Sequence, residues 1–191
     1  MSEPSVPNTG SVAFKEWAIV CEALGEGIQS VLVRKGGIAE GRDGFAFRHR
    51  DFFLFPTAFH EQMEKTNLPA NTPAPRLHED HVEIQFAAVI DWTRFLSDPA
   101  LIPALRGYHI LHDEVVEERF LYGTPPGLHI AFVRIFRLET PWILPTEKRF
   151  GGCRSWIELP AAPKKNMIPV LSEEEHARRS RALKSALVSA D

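Results

Sequence analysis

Between Arg34 and Arg50 the chain sets Arg34, Lys35, Arg42, Arg48 and Arg50 against only Glu40 and Asp43, with glycines at 36, 37, 41 and 44. Guanidinium forks pair bidentately with phosphate or carboxylate oxygens, and glycine lets the backbone approach an anion closely. The span therefore reads as an anion-binding loop with Arg34, Lys35, Gly36, Gly37, Arg48 and Arg50 as contacts and Trp156 as an aromatic neighbour. The competing reading is a solvated hairpin whose charges only keep it soluble.

A second group follows the aromatic run from Phe53 to Phe59, where His60 stands beside Glu61. A histidine and a carboxylate at the start of a helix make an acid-base pair, or else His60 covers an aromatic core. Two His-x-x-His pairs carry metal-ligand types: His78 and His81 with Asp80 and Glu83, and His109 and His112 with Asp113 and Glu114. Neither has a recognised zinc spacing and there is no Cys-x-x-Cys, so both read as helix-start caps and polar side chains facing water; no metal or other cofactor is expected. Glu83-x-Gln85 also lacks the lysine that a two-metal nuclease strand carries. Gly151-Gly152-Cys153, flanked by Arg149 and Arg154, is either an anion nest with a reactive thiol or a tight turn with Cys153 as a small filler. No glycine loop of Walker or Rossmann spacing occurs, so ATP and NAD find no support.

The elements that position these groups follow from periodicity. Phe14 to Gly25 has helical spacing, with a hairpin as rival; Ile28 to Lys35 reads as a strand ending at Gly36-Gly37. Asp51 to Phe55 reads as a strand, after which Pro56 keeps Phe55 extended and Thr57 caps a helix bearing His60. Three prolines make Asn67 to Pro75 a linker or lid. His81 to Trp92 is a core strand, Asp98 to Leu105 and Asp113 to Tyr122 are helices, and Leu128 to Leu138, Trp142 to Leu144 and Ser155 to Leu159 are strands. Ser172 opens an amphipathic helix whose first turn holds Glu173, Glu174 and Glu175, complementing the positive end of the helix dipole. Mixed strands and helices without βαβ alternation imply an α+β fold: a mixed, largely antiparallel sheet with flanking helices and a C-terminal helix.

At 191 residues, 44% hydrophobic and 25% charged, the chain can bury one substantial core. The expected organisation is a loose N-terminus over 1–11, one globular domain over 12–160, and a linker with a C-terminal helix over 161–191. A net charge of −3 argues against a strongly basic nucleic-acid surface, though not against a local patch. Two distant cysteines, Cys21 and Cys153, and no secretory leader point to a cytoplasmic protein with reduced thiols. No apolar run approaches the length of a membrane helix, so no membrane partner is expected. The sequence carries no signal of oligomeric state.

Lys15-Glu16-Trp17-Ala18, Glu22-Ala23-Leu24, Leu32-x-Arg34-Lys35-Gly36-Gly37-Ile38, Phe53-x-Phe55-Pro56-Thr57-x-x-His60 and Gly151-Gly152-Cys153-x-Ser155-Trp156 together resemble the bacterial domain of unknown function 1802 family, over about residues 12–160. That family has no established activity; its occasional fusion to restriction-enzyme pieces implies work connected with DNA and restriction-modification. Gly27-x-Gln29-Ser30-x-Leu32-x-Arg34 is similar in layout to a segment of ASCH domains, keeping Gly and Arg, changing Thr to Ser, and lacking the Lys and Glu. That similarity implies at most a PUA-like small barrel. The leading expectation is a module binding nucleic acid or a nucleotide-like anionic ligand. The alternatives are an enzyme on a phosphate-bearing substrate, with Lys35 and Arg50 holding the anion and His60 and Glu61 moving protons, and a partner-binding protein docking through its last helix.

Overall fold

The computed structural model describes residues 7–35, 45–58, 60–122, 124–162 and 166–188. The chain begins with β1 (Val12–Trp17), α1 (Ala18–Gly25), β2 (Val31–Arg34), β3 (Asp51–Thr57) and the long β4 (His81–Leu96). A 3-10 segment (Pro99–Leu105) and α2 (Asp113–Leu121) lead into β5 (Leu128–Pro145), followed by β6 (Trp156–Glu158), β7 (Met167–Pro169) and α3 (Glu173–Val188). The strands form one sheet in the order β2-β5-β4-β3-β1-β6, with β7 also on β5. The β1–β3 pair is parallel and the other pairings are antiparallel, so the sheet is mixed and largely antiparallel. It curls into a half-barrel. The register shift between Ile84 and Phe86 puts the extra residues, 138–141, in β5, and the shift between Ile90 and Trp92 puts an extra residue, Asp91, in β4; such irregularities bend long strands.

Strand alternation sends neighbouring side chains to opposite faces, and here both faces are buried. Phe14, Phe52 and Leu54 join α1, α2 and α3 in the larger core, whereas Ala13, Phe53 and Phe55 join Trp142, Phe150, Ile157 and Leu159 in the smaller one. The helix expected from Phe14 begins only at Ala18: residues 12–17 pair with both β3 and β6, and two ladders outweigh local helical spacing. α1 ends as its last residues dictate, with Gly27 at φ +69° while Gly27 N donates to Leu24 O (3.1 Å) and Ile28 N to Ala23 O (2.9 Å). This is a Schellman closure, which favours glycine at that position.

Two further expectations need correction. Among the described residues no helix follows Thr57: residues 60–65 form turns, and the Thr57 hydroxyl donates to Glu16 O (2.9 Å) in the neighbouring strand. Trp142 to Leu144 is not a separate strand but the far end of β5, because β4 slips its register by Gln85 and lets residues 138–141 pass without breaking the strand. Within the stretch read as a linker, β7 pairs with β5, and α3 buries Leu183 and Leu187 in the larger core. Ser172 Oγ accepts from Glu175 N (3.2 Å), as an N-cap does.

Candidate functional site

A cavity of about 510 Å³ lies where the end of β3 and the start of β4 meet α1 and the loop over 146–151. That volume lies in the range of small-molecule sites, as does its predominantly apolar lining. Leu54, Phe55, Leu77, Val82, Phe86 and Phe150 supply the apolar walls, and Ala58 stands exposed at the rim. Phe86 is held from behind by close packing and charge: Arg137 sits 4.9 Å from its ring centroid, and Gly25 of α1 leaves no room there for a β-carbon. The charged lining consists of Lys15, Arg76 and Lys148 against Glu22, Glu79, Glu83 and Glu147. Four carboxylates thus face three cations, and Glu147 is further engaged by Arg149 at 2.8 Å. Burial, aided by Glu26, raises the Glu22 carboxyl above its ordinary value.

The loop over 146–151 is fixed from below. Lys15 Nζ donates to the carbonyls of Phe150 (2.8 Å) and Gly152 (2.7 Å), which explains the Gly-Gly turn beside Cys153. Gly152 has φ +79°, a conformation that favours glycine. Cys153 is exposed rather than a buried filler. Burial lowers the Lys15 ammonium from its ordinary value, with Cys153 acting in the opposite sense.

At the cavity mouth His78, His81 and Glu83 bring one ligand-type atom each to within 4.8 Å of the others. His81 and Glu83 are two apart on β4 and so share a face, and His78 folds back from the preceding bend until its ring stacks on His81 at 4.1 Å. Glu83 Oε1 lies 3.6 Å from Nε2 of each histidine. Gln85 Nε2 donates to the other Glu83 oxygen at 3.4 Å. Asp80 Oδ1 lies 2.8 Å from His81 Nδ1, and this hydrogen bond holds the Asp80 carboxyl below its ordinary value. A carboxylate only accepts, so Nδ1 carries a proton toward Asp80, which leaves Nε2, 3.6 Å from Glu83 Oε1, as the ligand-type atom. The helix-start capping expected here has no helix to cap, because His81 opens a strand.

The second His-x-x-His has a different environment. His109 is buried, its Nδ1 accepts from Leu111 N (3.2 Å), and burial together with Arg119 lowers its pKa to about 4. His112 stands at the N-terminus of α2, where its carbonyl accepts from Val115 N and Val116 N.

The residues singled out in the sequence are distributed over several places. Gly36 and Gly37, like Arg42, lie outside the described residues. Arg34 is drawn inward: NH2 donates to Ser155 Oγ (2.8 Å), NH1 lies 3.9 Å from the buried Glu16 carboxylate, and the guanidinium sits 5.2 Å from the Phe14 ring centroid. Trp156 meets the same Phe14 ring at 4.8 Å and donates from Nε1 to Ala46 O (3.2 Å), so Arg34 and Trp156 share one neighbourhood. Lys35 donates to Pro125 O (2.6 Å). Arg48 and Arg50 are exposed on either side of His49, whose ring packs on Trp156 at 4.9 Å. His60 and Glu61 are exposed in the turns after β3, with Glu61 3.7 Å from Lys65. The cavity walls escaped the sequence reading because Leu54, Phe55 and Phe86 look like ordinary core positions. The signal in the sequence was His78-x-x-His81-x-Glu83, whose meaning depends on the strand beginning at His81.

The family described as Domain of unknown function (DUF1802) matches residues 13–182. No curated protein and no solved structure matches the chain.

Proposed function

The chain belongs to the DUF1802 family, whose description assigns no activity, and from the geometry we propose that it binds a small ligand with an apolar, ring-sized body and an anionic end, of the size of a nucleotide. The observation that carries this reading is the 510 Å³ cavity, its apolar aromatic walls and its charged rim, built on rigid strands and α1. The apolar body would lie against Phe55, Phe86 and Phe150, and the anionic end would reach the charged rim. A cavity of this size holds one such molecule and does not track a polymer.

Anilinonaphthalene sulfonate has an aromatic body and an anionic group and serves as the probe. The wild-type chain is expected to bind it with enhanced fluorescence and to release it when nucleoside monophosphates are titrated in. Ala58→Trp fills the mouth from an exposed position, so it should abolish dye binding while leaving the melting temperature nearly unchanged. Undiminished dye binding by a folded Ala58→Trp variant refutes the reading.

A second reading attaches to the opposite group of residues and is favoured by exposed Arg48, His49 and Arg50 beside Trp156. Cations flanking an aromatic surface suit a single-stranded nucleic acid, with stacking on the ring and phosphates on the arginines. It predicts binding to an oligonucleotide that weakens steeply with added salt and is lost in the double variant Arg48→Ala, Arg50→Ala. Binding unaffected by that double variant refutes it.

A further inference from the structure

We propose that His78 Nε2, His81 Nε2 and Glu83 Oε1 bind one divalent transition-metal ion at the mouth of the cavity, with an open coordination position facing inward for the phosphate or carboxylate end of the ligand. The inference rests on the pocket reading above and supplies the charge that reading needs. Four lining carboxylates against three cations give an anion no net attraction. A dication among them reverses that balance at the one place where the carboxylate and the two imidazoles converge.

The geometry follows metal-site chemistry. At bond lengths of about 2.1 Å, tetrahedral ligands stand about 3.4 Å from each other, close to the 3.6 Å that separates Glu83 Oε1 from each imidazole Nε2. The two imidazole nitrogens stand within 4.8 Å of each other, and the stacked rings, 20° apart in plane, turn on their partly exposed side chains to aim both lone pairs at one ion. Two imidazoles and a carboxylate suit zinc, cobalt, iron or manganese better than magnesium or calcium, which take all-oxygen ligand sets. Asp80 on His81 Nδ1 (2.8 Å) is the outer carboxylate that metal-binding histidines commonly have, and Gln85 steadies the free Glu83 oxygen (3.4 Å). Three protein ligands leave room for a fourth, the feature that separates sites engaging substrate from purely structural ones.

The test begins with tag-free, full-length chain stripped by chelator and titrated with Zn²⁺ by calorimetry and with Co²⁺ by visible absorption. One ion per chain is expected, with d–d bands characteristic of low coordination number. His81→Ala and Glu83→Gln should each weaken Zn²⁺ binding by at least 100-fold, and Asp80→Asn by 10- to 100-fold, whereas His112→Ala should have no effect. No binding by the wild type, or unchanged affinity in His81→Ala, overturns the metal site. Phenylphosphonate then probes the open position: it should bind at least 10-fold tighter to the Zn²⁺-loaded wild type than to the stripped chain, with no such gain in His81→Ala. Equal affinity with and without Zn²⁺ overturns the assignment of the anionic end to the metal. Dye binding measured in chelator tests the cavity alone, so loss of the metal result with dye binding intact refutes this inference and leaves the pocket reading standing. Loss of dye binding with Zn²⁺ binding intact refutes the pocket reading and the role of the open position, and leaves the metal-ligand set alone standing.

Discussion

Glu16→Gln is the sharpest test of how the interior around Arg34 is held. Glu16 is 2% exposed, and its Oε1 accepts from Trp17 N at 2.9 Å. Glutamine keeps an acceptor for that amide and the same shape, so the substitution removes the charge and little else. At a separation of 3.9 Å and an effective dielectric near 20, the Arg34–Glu16 attraction is about 4 kcal/mol. Arg34 keeps 19% of its side chain in water and recovers part of that by hydration. Arg119, which donates to Val33 O (2.6 Å) and packs 4.9 Å from the Trp17 ring centroid, is also held charged by Glu16 against a burial that lowers its pKa. Breaking a buried pair while leaving its cations in place costs several kcal/mol, and about 3 kcal/mol is the expected loss here. For a domain of this length that lowers the melting temperature by roughly 6–12 °C. Urea unfolding at neutral pH provides the assay, with unchanged m-value as the sign that only stability moved. In a cycle with Arg34→Met, the double variant should lose at least 1 kcal/mol less than the two single losses combined. A Glu16→Gln variant within 1 kcal/mol of wild type, or a cycle without coupling, refutes the argument that this pair holds the interior around Arg34.

Two further outcomes follow from burial and packing. His109 titrates near 4 folded against an ordinary 6.5, so the unfolded chain binds more protons between those values. Stability is therefore full above about pH 6.5 and falls with acid until about pH 4, by up to roughly 3 kcal/mol. His109→Gln should flatten that limb in urea melts taken from pH 7 to 4, and an unchanged acid slope would contradict the assignment. A β-carbon at Gly25 would stand 2.1 Å from the Phe86 ring, so Gly25→Ala should cost about 2 kcal/mol through overpacking and, because Phe86 lines the cavity, alter dye affinity as well. A variant as stable as wild type with identical dye binding would show that Phe86 is not wedged between α1 and the cavity.

Much of the scaffold was written locally. The alternation in Leu128 to Leu138, the turn residues, the cap at Ser172 and the balance of apolar and charged residues point to a mixed α+β fold because strand alternation, helix capping and turn geometry act over a few residues. Boundaries failed where long-range pairing decided: Phe14 to Trp17 follow β3 and β6 rather than their helical spacing, and residues 138–141 pass through a register slip that only β4 reveals.

The candidate site divides in the same way. The amino-acid order alone determined that His78, His81 and Glu83 are ligand types close in the chain, and that Arg34, Arg48, Arg50 and Trp156 could meet anions. Tertiary structure decided that Arg34 turns inward to Ser155 and Glu16, that the 146–151 loop closes one wall of a cavity, and that β4 begins at His81 so that His81 and Glu83 share a face. The physical reason is that residue type fixes which bonds a side chain can make, whereas strand register and the folding of distant loops fix which partners come within a few ångströms of it.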